Sequence, residues 1–391
     1  MDYDFEHAPQ RLGTDSVKWW GLKAHDLPMT IADMEFKTAP EIIAAMQDKV
    51  AFGAFGYEWF QDDYYQAVID WFAKEHAAQL QKDWLLFVTG VVPAISSIVC
   101  RLTNQGDKVL VQEPVYDIFY HSIENNGRRT LSNPLRYEDC HYSLDWADLE
   151  QKLADPMTRL MIFCNPHNPT GQLWTAAEVQ KVAELCHKHH VILLADEIHG
   201  DLVRAGHYNT AVKVEGPARD SVIVLTSPSK TFNVAALHAA TAIILNRDLY
   251  EVVSRGINND ELAEPNLLAV PASIAAYEQG GPWLHALLAQ LRTNFAWAAD
   301  FLKKELPQLV SVSGPATYLL WVDVSQVCAD SAELAHFIYE KTGLQVTAGS
   351  VYRGNGERFI RINLAAPLAM VQDGLHRLAK GVKIFEESKT N

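Results

Sequence analysis

The chain has 391 residues, 48% of them hydrophobic and 21% charged, which suffices for a sizeable core and for two domains rather than one. Its formal net charge of -15 argues against a nucleic-acid partner, which calls for a basic face. The five cysteines (Cys100, Cys140, Cys164, Cys186, Cys328) are scattered, odd in number and without a Cys-x-x-Cys pair, which argues against a disulfide framework or a zinc knuckle and fits a reducing cytoplasm.

The opening Met1-Asp2-Tyr3-Asp4-Phe5-Glu6 is acidic and lacks an apolar signal region, and no later stretch is apolar for long enough to span a bilayer, so neither export nor a membrane partner is expected. The segment 1-46, rich in Pro, Asp and Trp, does not read as part of a sheet and is expected to pack with a C-terminal domain or across a subunit contact. From there short apolar runs recur with helical stretches between them: Leu85 to Val88, Val109 to Val111, Leu160 to Phe163, Val191 to Leu194, Val222 to Leu225 and Ala242 to Leu245. Continuous apolar runs are what strands buried on both faces of a parallel sheet require, so an α/β domain with a mixed, mostly parallel sheet flanked by helices is predicted over 47-281.

One of the intervening helices is well marked: Thr175-Ala176-Ala177-Glu178 makes a capping box, and Val179, Val182, Ala183 and Cys186 follow at helical spacing. The cluster His187-Lys188-His189-His190 that ends it suits the negative end of the helix dipole, and consecutive helical positions point apart, so it is not read as a metal site. After Pro282 the pattern changes to a long helix from Trp283 to Leu306, a run Tyr318 to Val322, a helix from Ser331 to Lys341 and a run Phe359 to Asn363, a smaller α+β domain over 282-391. No internal repeat and no low-complexity tract appears.

In open α/β sheets the ligand crevice lies beyond the carboxyl ends of the strands. After Leu85 to Val88 comes Thr89-Gly90-Val91-Val92-Pro93, a turn into a helix whose free amides can hold a phosphate. After Val109 to Val111 comes Tyr116, whose ring can stack on a heteroaromatic face or fill a core. After Leu160 to Phe163 comes Asn165-Pro166-His167-Asn168-Pro169-Thr170-Gly171, where Asn168 can offer an amide to a phenolate oxygen. The run ending at Leu194 leads to Asp196-Glu197-Ile198-His199, and the run ending at Leu225 to Ser227-Pro228-Ser229-Lys230. Singly, Lys230 could end a strand in solvent and Asp196 could sit in an acidic turn. Together the five ends supply an amine for a Schiff base, a carboxylate for a pyridine nitrogen, and phosphate-binding hydroxyls and amides, which is what pyridoxal phosphate needs.

At this point the chain resembles the fold type I pyridoxal-phosphate enzymes, the aspartate aminotransferase superfamily, through Asn168-Pro169-Thr170-Gly171, Asp196 and Ser227-x-Ser229-Lys230 in order and spacing. Within it, Ile31-Ala32-Asp33-Met34-Glu35-Phe36, Phe55-Gly56-Tyr57, Asp196-Glu197-Ile198-His199 and Ser229-Lys230-Thr231-Phe232-Asn233 are similar to the MalY/PatB-type cystathionine β-lyases, over nearly the whole chain. The resemblance implies that Lys230 carries the cofactor and acts as the Cα base. It implies that Asp196 meets the pyridine nitrogen, Asn168 the ring oxygen and Tyr116 the ring face, with His199 beside them, and that Gly90, Val91, Val92, Ser227 and Ser229 hold the phosphate. It further implies a cytoplasmic homodimer in which Tyr57 reaches the other subunit's phosphate, an Arg361 that pairs with the substrate carboxylate, and a place in amino-acid metabolism, with methionine biosynthesis as the setting. Two departures stand out: His199 sits where many aminotransferases carry a tyrosine, and His238 where their phosphate arginine follows the lysine.

The reaction expected on this resemblance is α,β-elimination from cystathionine or a related cysteine S-conjugate to a thiol, pyruvate and ammonia, with an aminotransferase as the alternative. Ser227-x-x-Lys230 and Lys341-Thr342-Gly343 also match two motifs of serine acyl-transfer enzymes, but no Ser-Asp-Asn lies between them and Gly343 reads as a helix C-cap. A non-catalytic regulatory role is a third reading, since fold alone does not prove activity. Dinucleotide, Walker and His-Glu-x-x-His motifs are absent.

Overall fold

The computed structural model describes residues 3–390. Its centre is a seven-stranded sheet in the order Leu85–Val88, Ala240–Ile244, Val222–Thr226, Ile192–Asp196, Thr158–Cys164, Lys108–Val111, Arg129–Ser132. Six strands run the same way, and Ala240–Ile244 is antiparallel to both its neighbours. Each run read as a buried strand is one: Val222–Thr226 and Ala240–Ile244 are buried at every position. Helices cover both faces, and two apolar clusters fill the two layers, one centred on Phe87, Met161 and Val224 and one on Val99, Ile162 and Ile223. The reversal of Ala240–Ile244 has a connection to match. It is reached from Val222–Thr226 through a 13-residue link that lacks the full helix a parallel crossover requires. It therefore offers its start, at Ala239, to the crevice side instead of its end.

The helix Ala176–Lys188 begins on the predicted capping box. The Thr175 hydroxyl accepts from the Glu178 amide at 3.2 Å, and the Glu178 carboxylate accepts from the Thr175 amide at 2.8 Å. At its far end His187 contacts the Ser221 hydroxyl at 2.9 Å, and among the described residues no cluster of His, Cys, Asp or Glu is arranged to hold a metal.

A second, four-stranded antiparallel sheet is ordered Val310–Ser311, Leu319–Asp323, Phe359–Asn363, Thr347–Ala348. The helices Ser331–Thr342 and Leu368–Thr390 pack on it around Ile338, Ile360, Leu375 and Val382. The helix Gly281–Glu305 joins the two units, since Trp283, Leu287 and Leu291 lie in the first core and Ala298, Phe301 and Leu302 in the second. The N-terminal segment also bridges them. Leu27–Pro28 pairs in parallel with Leu344–Gln345, while Met34 and Phe36 enter the first core. No helix among the described residues is long and apolar enough to cross a membrane.

Between the helices Pro40–Ala51 and Asp62–His76 the chain runs outward as a loop, and there Phe52, Phe55, Tyr57 and Trp59 are exposed.

Candidate active site

A cavity of about 380 Å³ opens at the carboxyl ends of the parallel strands. Gly90 caps the helix Val91–Leu102 without a side-chain partner, so the first amides of that helix are left for a ligand. Gly90 has φ +137°, and a Cβ there would meet the Pro93 ring at 3.2 Å, so the turn that aims these amides needs glycine. Gly90, Val91 and Val92 all line the cavity.

Tyr116 lines the same cavity, and burial, chiefly, raises its phenol well above the usual range, so it stays protonated. The Asn165 to Gly171 string forms a tight turn closed by the Gly171 amide on the His167 carbonyl at 2.7 Å. Gly171 sits at φ +69° with its Cα facing the second sheet's loop, where a Cβ would come within 2.8 Å of the Ala316 carbonyl. That close approach explains a glycine that turn chemistry alone leaves unexplained. Asn168 is buried, and its side-chain carbonyl accepts from Arg361 Nη1 at 3.0 Å, which leaves the amide half of Asn168 for the cavity.

Asp196 is 4% exposed and, among the described residues, its carboxylate accepts one hydrogen bond, from the Ile198 amide at 3.2 Å. Burial pushes its carboxyl up to about 7, against the lowering effect of that amide and of the Lys230 charge. A buried carboxylate with one donor is costly unless a cationic donor meets it. Lys230 stands on the helical turn Pro228–Thr231, capped by Ser227, and its Nζ donates to the Ala32 carbonyl at 2.8 Å. Burial brings its amine down to about 8, with the Arg361 charge adding to the fall and Asp33 and Asp196 opposing it. The Ser227 hydroxyl is already engaged: it donates to the Ala239 carbonyl at 2.6 Å and accepts from the Ser229 amide at 3.0 Å. Ser229 is the one of the two hydroxyls free to donate into the cavity.

His199 is 3% exposed and edge-on to the Tyr318 ring, with neither ring nitrogen hydrogen-bonded among the described residues. Burial, with the charges of Lys230 and Arg361, lowers it to about 3, so it is a neutral imidazole. His238 lines the cavity at the exposed mouth in a left-handed conformation, φ +52°. Arg361 reaches the site from Phe359–Asn363 of the second sheet. It is buried, holds Asn168 and the Thr30 carbonyl (3.1 Å), and its Nε has no partner among the described residues. Tyr57 is fully exposed and lies outside the cavity of its own chain.

Sequence reasoning missed the main-chain strap Thr30 to Phe36, although its letters were part of the resemblance. Ala32 lines the cavity and its carbonyl accepts from both Lys230 and the Tyr318 hydroxyl, each at 2.8 Å. Asn363 holds the Ile31 and Asp33 carbonyls at 2.7 and 2.6 Å, and Asn233 the Met34 and Phe36 carbonyls at 3.1 and 2.9 Å. The signal lay in Asn233 and Asn363, each placed just beyond a residue singled out for chemistry. The assembled donor set, a half-buried amine, an under-bonded buried acid, a free helix start and an aromatic ring, fits pyridoxal phosphate.

The family model described as aminotransferase class I and II matches residues 25–378. The cystathionine β-lyase PatB of Bacillus subtilis (strain 168) is 39% identical over 96% of this chain and 98% of its own, and the protein MalY of Escherichia coli (strain K12) 34% identical over 97% and 99%. Among solved structures, cystalysin from Treponema denticola, which contains a pyridoxal 5'-phosphate cofactor, superposes with a TM-score of 0.94 at 31% identity, covering 98% of this chain and all of that one. The pyridoxal-phosphate-bound C-S lyase of Staphylococcus hominis does so with a TM-score of 0.91 at 31% identity, covering 98% of each. A match of this extent on the same fold has one reading: the chain belongs to the aminotransferase class I and II family and, within it, to the group of PatB and MalY.

Proposed function

We propose that this protein binds pyridoxal phosphate and catalyses α,β-elimination on cystathionine or a related cysteine S-conjugate, releasing a thiol (homocysteine from cystathionine), pyruvate and ammonia. The observation that carries the proposal is the convergence in one cavity of the Lys230 amine and the under-bonded Asp196 carboxylate, with Arg361 held beside them by Asn168. The similarity to a protein named cystathionine β-lyase at 39% identity supports elimination as the outcome.

Lys230 would tether the cofactor, Asp196 meet its ring nitrogen, Asn168 its ring oxygen with His199 nearby, Tyr116 its face, and Gly90, Val91, Val92 and Ser229 its phosphate, while Ser227, its hydroxyl engaged by the Ala239 carbonyl, caps the lysine-bearing turn. Without an arginine at position 238, that phosphate would be met by the helix-start amides and the Ser229 hydroxyl, with His238 at the rim. When bound, the cofactor supplies an electron sink for the charge left at the substrate Cα. Arg361 binds the substrate carboxylate and fixes which Cα bond faces Lys230, a task suited to a planar fork. Lys230 Nζ, with its basicity lowered by burial, takes the Cα proton. Asp196 keeps a negative charge where the ring nitrogen must stay protonated. In balance, a thioether amino acid and one water give the thiol, pyruvate and ammonium.

The site would belong to a large domain of 47-281, with 282-391 and the segment 1-46 forming a small domain that brings Arg361 and Ala32 to it. We place the exposed loop of Phe52, Phe55, Tyr57 and Trp59 at the contact of a homodimer, with Tyr57 reaching the partner's phosphate site, since aromatic side chains of this kind are rarely left to water. The five unpaired cysteines favour a reducing compartment, the cytoplasm.

The test is incubation of purified, cofactor-loaded protein with cystathionine and no keto acid. Pyruvate and thiol in equal amounts are expected. Their absence, or a product that forms only when a keto acid is added, would replace elimination by transamination.

A further inference from the structure

Behind the cavity a second buried cluster reaches the lysine-bearing turn. Asp201 lies five residues beyond Asp196 on the same strand-end loop, a tight turn closed by the Gly200 amide on the Glu197 carbonyl and the Leu202 amide on the His199 carbonyl, each at 2.9 Å. The Asp201 side chain is 8% exposed and accepts three side-chain donors: Thr231 Oγ1 at 2.7 Å, Trp71 Nε1 at 2.9 Å and the His76 imidazole at 2.8 Å. Burial acts to raise its carboxyl, but the His76, Thr231 and Trp71 hydrogen bonds and the His76 charge outweigh it and hold Asp201 below its usual value. None of these groups lines the cofactor cavity, so the mechanism above leaves a fully satisfied buried carboxylate without a role.

Thr231 is the neighbour of Lys230 and is wholly buried. The turn Pro228–Thr231 is four residues long, and the hydrogen bonds that continue it are the Phe232 amide on the Pro228 carbonyl (2.9 Å) and the Val234 amide on the Ser229 carbonyl (3.0 Å). One helical turn does not hold its own orientation. Side chains of adjacent helical residues point about 100° apart, so anchoring Thr231 sets the rotation of the turn and with it the direction of Lys230.

We propose that Asp201 is a positioning residue for Lys230: by gripping the Thr231 hydroxyl it locks the lysine-bearing turn to the loop that carries Asp196. The two groups that must act on one ring, at the ends of adjacent strands, are thereby held as a unit by an anion buried outside the cavity. Trp71 and His76, from the helix Asp62–His76, fix the carboxylate in turn. The inference rests on the reading of Lys230 as the cofactor-bearing amine.

The test compares Thr231→Val and Thr231→Ser holoenzymes with the wild type. Valine keeps the volume and removes the hydroxyl, and serine keeps the hydroxyl. For Thr231→Val the expected result is a kcat lower by roughly 10- to 100-fold, the scale of a misplaced catalytic group, with KM little changed. The absorbance of the lysine-bound cofactor is expected to titrate with a midpoint displaced by about one pH unit, because the amine moves relative to Asp33, Arg361 and Asp196, the charges that face it. Thr231→Ser is expected to match the wild type in both. Should Thr231→Val not fold, Asp201→Asn, which keeps size and removes the charge, is read in the same way. A folded variant without the hydroxyl or the charge that keeps the wild-type kcat and titration midpoint overturns the proposal. A wild type without a lysine-bound cofactor band overturns the functional reading beneath it instead.

Discussion

Asp196 is the residue whose surroundings most demand a ligand, and its protonation can be followed without one. In the cofactor-free folded chain its carboxyl titrates at about 7, against a usual 3.8. Between those values the folded state holds a proton that the unfolded state has released, so the contribution of Asp196 to stability falls as pH rises. His167 and His199 act in the opposite sense. Burial draws them to about 4 and about 3, so they resist the charge they would take up when unfolded, and their cost appears as pH falls below ~6.5. Subtraction isolates the acid: for cofactor-free protein, the Tm advantage of Asp196→Asn over wild type is expected to widen between about pH 5 and pH 7.5. An advantage that is flat across this range would contradict the burial argument. Arg361→Lys keeps the charge and loses the fork, and is expected to raise KM for cystathionine by about 10- to 100-fold, as for a charge-assisted pair worth about 1.5–3 kcal/mol, while Lys230-dependent absorbance persists. At this scale most of the site was legible, because parallel strand ends converge by topology and each chemical group follows one of them. What stayed hidden was main chain. The Ala32 carbonyl that receives Lys230 carries no side-chain signal, and only the fold brings residue 32 beside residue 230.

Elements were legible where burial writes a pattern. The strands Thr158–Cys164 and Val222–Thr226 carry unbroken apolar runs, Leu160 to Cys164 and Val222 to Leu225, because helices cover both faces, and the helix Ala176–Lys188 announces its start through Thr175 and Glu178. The edge strand Arg129–Ser132 escaped because it is partly exposed and polar at all but Leu131, and the reversed direction of Ala240–Ile244 leaves no trace in its own letters. The second unit was read closely: the helix Gly281–Glu305 was expected from Trp283 to Leu306, and Phe359–Asn363 has the predicted bounds. The capping box gives a local test. Thr175→Ala is expected to lower stability by about 1 kcal/mol, seen as a lower midpoint in urea with an unchanged slope, because it removes a cap and touches no part of the cavity. A loss of cofactor binding in that variant would show that the helix does more than support the sheet.

At the scale of the whole molecule the site draws on parts far apart in sequence: a strap near residue 32, five strand ends, and Arg361 on a separate sheet. Under the homodimer proposed above, the exposed Tyr57 would add the partner chain. If Tyr57 serves the other subunit, Tyr57→Ala and Lys230→Ala each inactivate every site of their own dimer, but a mixed dimer carries one intact site. Unfolding and refolding the two variants together is expected to restore roughly a quarter of wild-type activity, as random pairing in a two-fold dimer requires. No recovery would place Tyr57 in the site of its own subunit, and an active Tyr57→Ala homodimer would place it outside the site. All of this depends on Lys230 as the amine that holds the cofactor, and the most direct measurement is the visible absorbance of the purified protein with pyridoxal phosphate, before and after Lys230→Ala. The wild type is expected to be yellow, with a band that persists through dialysis, and Lys230→Ala to lose it while keeping its fold. A band unchanged in Lys230→Ala would contradict the account.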